Sequence, residues 1–281
     1  MLTHSQLKEI FLKYDFAPLK RLGENYLIDA NIKDKIIAEV APVKGDTILE
    51  IGPGLGALTV DLAASGARVF AVEKDRKVFA VLEKMIGGEF PNLTLFHDDI
   101  LKFDLKKIDT TNKIKVVSNL PYYITTPIIE LLIQNARLIN SIFMMAQREV
   151  ANRLMAAPGS KDYGSLSCFI QYHTKPVYIH TIKRTSFYPV PEVDSSLIRL
   201  EVLDEPSVSV EDEALFFKVV RSSFNQRRKT ILNSLSRELA LNMPKDELST
   251  LLDRVGIAPS ARPESLSLND FASIANAVNN C

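Results

Sequence analysis

The sequence has few of the residues that build disulfide frameworks and metal sites. It contains two cysteines, Cys168 and Cys281, and four histidines without paired spacing. A disulfide scaffold and a zinc finger are therefore excluded, and no metal site is expected. Such low cysteine usage is typical of a reducing compartment, so we expect a cytoplasmic protein.

Long hydrophobic runs are also missing. Runs such as residues 141–146 fall far short of the roughly 20 apolar residues that span a bilayer. Lys8, Glu9, Lys13 and Asp15 interrupt the apolar positions near the start of the chain. We therefore expect neither a signal peptide nor a membrane partner.

Charge of one sign is not in excess, because 34 Lys and Arg residues balance 34 Asp and Glu residues. This neutrality argues against a surface that attracts nucleic acid everywhere, although local basic patches are still possible. Hydrophobic residues make up 46% of the 281 positions and charged residues 24%, which excludes a disordered chain.

Short apolar runs alternate with helical patterns from about residue 28 to residue 150. This alternation predicts an α/β domain with a mostly parallel sheet covered on both faces. The predicted strands are residues 47–51, 68–73, 93–96, 114–118 and 141–146. Asp29 or Asn31 is expected to cap one helix, and Thr126 with Pro127 to begin another.

The pattern changes beyond residue 165. Residues 177–184 and 195–202 are predicted as consecutive strands without a helix between them, which suggests an antiparallel edge to the sheet. Residues 203–210 form the best candidate for a linker. The helices predicted after it are residues 215–220, 230–241 and 248–255. We therefore predict a sheet domain of residues 1–204 and a small C-terminal all-α domain of residues 205–281.

A glycine-rich turn, Gly52-Pro53-Gly54-Leu55-Gly56, lies between the first predicted strand and the next helix. Glycines there let a ligand approach the backbone and the free amides of a helix N-terminus. The G-x-G-x-G spacing differs from the G-x-G-x-x-G of dinucleotide sites and so argues against NAD. A tight turn that binds nothing is the competing interpretation.

Acidic residues follow the next two predicted strands. Glu73 ends the second strand, where a carboxylate can accept hydrogen bonds from both ribose hydroxyls of an adenosine ligand. Asp98 or Asp99 follows the third strand and can accept from the adenine amino group, while Ile100 packs on the ring. Solvated strand ends are the alternative. With the glycine turn, these features fit S-adenosylmethionine better than NAD.

The tetrapeptide Asn119-Leu120-Pro121-Tyr122 follows the fourth predicted strand, at the edge where such sheets bind ligands. The N6 amine of adenine is a poor nucleophile because its lone pair is delocalised into the ring. The Asn119 oxygen and a main-chain carbonyl of the turn can accept both N–H groups and direct the lone pair at a sulfonium methyl. Pro121 stiffens the turn and Tyr122 can stack on the base. An ordinary turn with a packed tyrosine is the alternative.

In this order, these features resemble the small-subunit ribosomal RNA adenine dimethyltransferases, relatives of the erythromycin-resistance rRNA methyltransferases. Stretches similar to the family are residues 21–27, 50–56, 119–127, 147–151, 158–164, 187–191 and 224–230. Leu22, Glu24 and Tyr26 depart from the Phe, Gln and Phe that are usual in the family. Glu24 adds a negative charge near the expected substrate entrance.

The resemblance implies a Rossmann-like, S-adenosylmethionine-dependent methyltransferase sheet. It also implies transfer of two methyl groups to N6 of each of two adjacent adenosines in the 3′-terminal hairpin loop of 16S rRNA, with a role in small-subunit biogenesis. The family aspartate precedes an apolar pair, as Asp99 precedes Ile100 and Leu101, which favours Asp99 over Asp98. The expected donor-binding residues are Asn25, Leu27, Gly52, Gly54, Glu73, Asp99, Ile100 and Asn119.

The resemblance further implies that Tyr122 and Phe187 sandwich the target adenine once it is flipped out of its stack. The expected catalytic residues are Asn119, Leu120, Pro121, Tyr122 and Phe187. A simple core position is the alternative for Phe187.

A basic stretch lies at the start of the predicted helical domain, since residues 218–237 include no acidic residue. Lys218, Arg221, Arg227, Arg228 and Lys229 are expected to contact RNA phosphates. Such contacts position a protein without reading sequence, so specificity must come from loop shape and flipped bases. A solvated helix face is the alternative.

Three other functions compete with this one. The first is an enzyme that dimethylates one large-subunit adenosine, and the motif Gln226-Arg227-Arg228 disfavours it. The second is a non-catalytic RNA-binding assembly or transcription factor, and the intact residues 119–122 disfavour it. An NAD-dependent oxidoreductase lacks paired acid and base residues near the sheet edge. Nothing in the sequence suggests an obligate interface, so a monomer is expected.

Overall fold

The computed structural model describes residues 2–16, 25–119, 124–226, 228–237 and 243–281. The chain divides into two compact units, one of Met1–Ala151 with Val177–Val202 and one of Asn152–Pro176 with Leu203–Cys281. The C-terminal segment of the second unit begins at Leu203, two residues before the start predicted for the helical domain at residue 205. Asn152–Pro176 differs from the prediction, because Tyr163, Cys168 and Tyr172 within it pack in the helical core of the second unit.

Nine strands occur in the described part of the chain. They are β1 (Tyr26–Leu27), β2 (Thr47–Ile51), β3 (Arg68–Glu73), β4 (Leu93–His97), β5 (Ile114–Asn119), β6 (Ile139–Gln147), β7 (Thr174–Ile182), β8 (Phe187–Tyr188) and β9 (Ser195–Val202). Seven form one sheet in the order β4-β3-β2-β5-β6-β9-β7, and β1 pairs with β8 in a separate ribbon. Neighbours from β4 to β6 are parallel, whereas β9 is antiparallel to β6. The predicted α/β fold with an antiparallel edge is confirmed.

Helices cover the sheet and build the second unit. They are α1 (His4–Lys13), α2 (Ala30–Val40), α3 (Thr59–Ala64), α4 (Arg76–Ile86), α5 (Thr125–Gln134), α6 (Arg148–Met155), α7 (Ser165–His173), α8 (Glu213–Phe224), α9 (Ile231–Leu235), α10 (Lys245–Arg254) and α11 (Leu268–Asn279). Within the described ranges, none is long and apolar enough to cross a membrane.

Two predicted helix starts have different outcomes. Asp29 caps α2, as predicted, by accepting hydrogen bonds from the main-chain N–H groups of Asn31 and Ile32. The start at Thr126 and Pro127 is wrong, because α5 begins at Thr125 and the proline is its third residue. A proline is tolerated there because the first N–H groups of a helix have no partner within the helix.

The central strands are buried on both faces of the sheet, and their order positions the site. All five residues of β2 are buried, and Ile48, Val69 and Val117 pack with the apolar face of α2 in one core. The chain adds β3 and β4 on one side of β2 and then places β5 on its other side. Such a reversal of strand order opens a crevice between the loops that follow β2 and β5.

The second unit has a core of its own. Buried side chains from α8 to α11 meet in it, among them Phe216, Ile231, Leu252 and Phe271. The predicted C-terminal helices are therefore present, although α8 extends from Glu213 to Phe224 and α9 ends at Leu235.

Candidate active site

The residues expected to bind the methyl donor follow different strands and meet at one edge of the sheet. Ile51 on β2 pairs with Ser118 on β5, so Gly52 and Asn119 are neighbours, and a Cβ on Gly52 would lie 3.9 Å from the Asn119 carbonyl oxygen. On the other side, Glu73 pairs with His97, which brings the aspartates after β4 beside it.

A cavity of about 380 Å³ opens at this edge. All eight residues expected to bind the donor line it: Asn25, Leu27, Gly52, Gly54, Glu73, Asp99, Ile100 and Asn119. Small-molecule sites in proteins commonly have volumes of roughly 300–1,000 Å³, so this cavity is large enough for a nucleoside ligand.

The glycine turn holds the carboxyl group of Glu73. The N–H of Gly54 donates to one carboxyl oxygen at 3.2 Å and the N–H of Asp75 to the other at 2.8 Å. Burial raises the pKa of Glu73 to about 7, although these two hydrogen bonds act to lower it. Gly54 has φ +58°, and a Cβ there would lie 3.3 Å from the Tyr26 ring, so glycine suits this position in both conformation and space.

Glu50 is a second acidic residue of the cavity and was missed by sequence reasoning. It is 3% exposed, and its Oε2 has no hydrogen-bond partner in the described part of the chain. Burial raises its pKa to about 7; the Thr59 hydroxyl acts to lower the pKa, and the nearby charge of Glu73 acts to raise it further. Its place as the last residue but one of β2, two positions before the first glycine of the turn, was the available signal. Its carboxyl group therefore places a buried negative charge, when ionised, at the wall of the cavity.

Replacing Glu50 with glutamine is expected to raise the free energy of unfolding much more at pH 8 than at pH 5. The pKa rises from 4.5 to about 7 on folding, so the native state loses stability relative to the unfolded chain between these two pH values, and the full penalty is present at pH 8. Glutamine is neutral throughout and removes a cost of about 3 kcal/mol. Urea unfolding at both pH values measures the change, with the exposed Glu130→Gln as control. A gain of equal size at pH 5 would contradict the explanation.

Both candidate aspartates line the cavity. Asp99 accepts hydrogen bonds from Lys74 Nζ at 2.9 Å and from the N–H of Leu101 at 3.1 Å. Partial burial acts to raise the pKa of Asp99, but these two bonds outweigh it and bring the pKa below its usual value. Asp98 accepts the N–H of Asp99 at 2.8 Å. Ile100 beside them is buried, as expected for a side chain that packs on a ring.

The carboxamide of Asn119 has a fixed orientation. Its Nδ2 donates to the main-chain carbonyl of Asn25 at 2.9 Å. Because a carbonyl oxygen can only accept, Oδ1 lies on the opposite side of the carboxamide, where it can accept a ligand N–H. Met145, which pairs with Asn119 across β5 and β6, also lines the cavity and was missed by the sequence. Leu120, Pro121 and Tyr122 lie outside the described residues.

Phe187 differs from the expectation of a ring open to a flipped base. It is 1% exposed and belongs to the same core as Leu27, Met145 and Leu197. The cause is the pairing of β1 with β8, which places Phe187 directly opposite the buried Leu27.

Comparison with known proteins gives the family. Residues 18–280 match the family model described as ribosomal RNA adenine dimethylase. The chain is 45% identical over 284 residues to the ribosomal RNA small subunit methyltransferase A of Geobacillus thermodenitrificans, an alignment that covers 98% of this chain and 96% of that protein. The chain belongs to the ribosomal RNA adenine dimethylase family. Its predicted family, its methyltransferase class and S-adenosylmethionine as methyl donor are confirmed.

Two solved structures have the same fold. A dimethyladenosine transferase from Plasmodium falciparum matches with a TM-score of 0.77 at 26% identity, covering 89% of this chain and 95% of that one. The 23S rRNA methyltransferase ErmE matches with a TM-score of 0.69 at 25% identity, covering 91% of this chain and all of that one (100%).

A member of this family needs basic side chains for RNA, and the predicted ones lie in the second unit. Lys218 and Arg221 are exposed on α8, and Arg228 and Lys229 are exposed between α8 and α9. None of these four is ion-paired with an acidic side chain that the structure describes. Arg227 lies outside the described residues.

Sequence reasoning also missed the helix α1, which forms one wall of the donor cavity. Leu2 and Leu7 line the cavity, and Leu7 packs with Phe11 in a buried cluster. Two signals were available, the i, i+4 spacing of Leu7 and Phe11 and the capping box formed by Thr3 and Gln6.

Proposed function

We propose that this chain transfers two methyl groups from S-adenosylmethionine to N6 of each of two adjacent adenosines in the 3′-terminal hairpin loop of 16S rRNA. It acts in the cytoplasm as a monomer during small-subunit biogenesis. The observation that carries the proposal is the oriented Asn119 carboxamide at the switch point of the sheet, next to the glycine turn.

In this proposal, the eight residues that line the cavity hold the donor. Glu73 accepts the ribose hydroxyls, Asp99 accepts the adenine amino group, and Ile100 packs on the adenine ring. The buried carboxylate of Glu50, which belongs to the wall of the same cavity, stabilises the positive charge of the donor. Bound S-adenosylmethionine supplies a methyl group that its positive sulfur has already activated, so no general base with a matched pKa is needed.

Asn119 then positions the target amine. Its Oδ1 accepts one N–H of the adenine N6, while Nδ2 stays on the Asn25 carbonyl and prevents the carboxamide from rotating. The lone pair of N6 is directed at the methyl carbon, a C–N bond forms as the S–C bond breaks, and the surplus N6 proton passes to water. Positioning and electrostatics supply the acceleration. The second acceptor and the stacking tyrosine fall on residues 120–122, outside the described residues.

The small subunit is favoured over the large subunit as the substrate. The relative named as a small-subunit methyltransferase is 45% identical to this chain, whereas the 23S rRNA enzyme ErmE is 25% identical. Labelled donor, purified protein and unmethylated small or large subunits test the choice, and primer extension maps the modified nucleotides. Label in the large subunit alone would favour the ErmE-like activity, and donor binding without transfer would favour a non-catalytic role.

Reversing two charges of the basic stretch, in the double variant Arg228→Glu and Lys229→Glu, is expected to weaken RNA binding. Each lost phosphate contact lowers the slope of log K against log salt by about 0.7–0.9. Donor affinity should stay unchanged, since these residues and the donor cavity belong to different units. Filter binding at several salt concentrations measures the slope, with the exposed Lys245→Glu as control. An unchanged slope would remove this stretch from the RNA interface.

A further inference from the structure

The loop of residues 189–194, between β8 and β9, exposes two valine side chains. Val190 is 55% exposed and Val193 is 45% exposed. The loop leads into Ser195, which pairs with Gln147, two residues beyond the Met145 that pairs with Asn119. The two valines therefore lie at the same edge of the sheet as the Asn119 carboxamide.

Neighbouring groups fix the base of this loop. The main-chain carbonyl of Asp194 accepts the N–H of Arg148 at 3.1 Å, and its side chain accepts the N–H of Arg184 at 2.9 Å. Pro191 between the valines is buried, and proline at 189 and 191 restricts the backbone. The loop thus presents its two apolar side chains with little conformational freedom to lose on binding.

Exposed cations lie beside the base of the loop. Arg148, Lys183 and Arg184 are exposed, and no acidic side chain in the described ranges forms an ion pair with them. Three acids are also near in sequence: Glu149 and Glu192 are exposed, whereas Asp194 is half-buried and its side chain accepts the N–H of Arg184. Among the exposed side chains, three cations therefore compare with two carboxylates. Apolar side chains between unpaired cations match the chemistry of a nucleic acid, whose bases are flanked by phosphates.

We propose that Val190 and Val193 form an apolar wedge that enters the base stack of the RNA loop when the target adenosine leaves it. This inference rests on the proposed function. The target amine can be reached only after its base is unstacked, which costs a few kcal/mol per step. Side chains that fill the gap recover part of that cost, and the cations hold the adjacent phosphates. A single exposed valine is ordinary on a protein surface. The proposal depends instead on two exposed valines in one six-residue loop at the same edge of the sheet as Asn119.

The test is the double variant V190S/V193S, with V43S as the matched control. Val43 is 57% exposed and follows a proline, as Val190 does, but it precedes β2 and so lies at the opposite edge of the sheet. The first readout is the single-turnover rate on unmethylated small subunits. The second is the fluorescence of 2-aminopurine at the target position of a hairpin RNA, which rises when the base unstacks.

We expect V190S/V193S to lower the rate about tenfold, the factor that corresponds to one lost stacking contact. The same variant should also suppress the fluorescence rise. Its affinity for S-adenosylhomocysteine should stay unchanged, and this unchanged affinity would show that the donor cavity is folded. V190I/V193I should retain wild-type behaviour because it keeps the apolar surface.

Three outcomes would overturn the wedge. If V190S/V193S matches V43S in both readouts while the wild type methylates small subunits, the role proposed for the two valines is wrong and the proposed function stands. If the serine and isoleucine variants lose activity equally, the loop acts through its shape and not through apolar contact. If the wild-type protein transfers no methyl group to small subunits, the proposed function fails and the wedge fails with it.

Discussion

Replacing Asn119 with alanine is expected to lower the rate of methyl transfer to small subunits by about 10²–10³-fold, the effect of removing one oriented hydrogen-bonding group at a reacting centre. The alanine lacks the oxygen that accepts an N–H of the target amine. Single-turnover incorporation of labelled methyl groups at saturating donor measures the chemical step, so any loss of donor affinity is kept separate.

The control for this variant is Asn135→Ala. Asn135 is also half-buried, and its Nδ2 also donates to a main-chain carbonyl at 2.9 Å, that of Leu131, at the end of α5. Removing either side chain costs one comparable hydrogen bond, so similar losses of thermal stability are expected. If Asn119→Ala keeps full activity, or if Asn135→Ala lowers the rate as strongly, the role assigned to the Asn119 carboxamide is wrong.

The sheet could be predicted from the sequence because its central strands are buried on both faces and appear as continuous apolar runs. The predicted strands 47–51, 68–73 and 195–202 coincide with β2, β3 and β9. Strand order then brings the residues that follow β2, β3, β4 and β5 to one edge. The acidic residues and glycines of the donor cavity could be placed in this way, because a local pattern fixes each strand end. Asn25 and Leu27, which precede β2, were expected only from the family resemblance, and they also line the cavity.

Predictions failed where a boundary depends on contacts distant in sequence. The strand predicted at 177–184 is β7, Thr174–Ile182; it includes Pro176, which an edge strand tolerates, and it stops before Arg184, whose N–H is bound by Asp194. The helix predicted at 230–241 begins after the capping Thr230 and ends at Leu235. The contact between Arg184 and Asp194 leaves no local pattern, whereas the cap at Thr230 does, since threonine is a preferred N-cap residue.

The active site shows the same division between local and distant information. The orientation of Asn119 depends on the carbonyl of Asn25, 94 positions earlier, and the burial of Phe187 depends on its pairing with Leu27. Neither partner can be read from spacing alone. Glu50 could have been found, because an acid within a fully buried strand just before a glycine turn is unusual and needs a compensating partner.

Replacing Glu73 with glutamine is expected to weaken donor binding at pH 8 by about 10²-fold. Each hydrogen bond to a charged group contributes about 1.5–3 kcal/mol, and the carboxylate is expected to accept two from the ribose. Glutamine keeps the size of the side chain, but its amide nitrogen cannot accept a hydroxyl proton. Calorimetric titration with S-adenosylhomocysteine measures the affinity, and the exposed Glu83→Gln is the control. Wild-type affinity in Glu73→Gln would exclude the ribose contact.

The pH dependence of donor binding tests the same carboxyl group in the unmodified protein. Burial raises the pKa of Glu73 to about 7, so without donor this group favours folding at low pH, and that contribution is lost as the pH rises through 7. Donor binding has the opposite dependence, because the ribose hydroxyls require the ionised form. We expect affinity to fall as the pH drops below 7 and protons to be released on binding at pH 6.5, so the measured enthalpy should vary with the ionisation enthalpy of the buffer. In Glu73→Gln, the protons that Glu73 releases on donor binding should be lost, while those released by Glu50 remain. A release that is undiminished in Glu73→Gln would assign the titration to Glu50 instead.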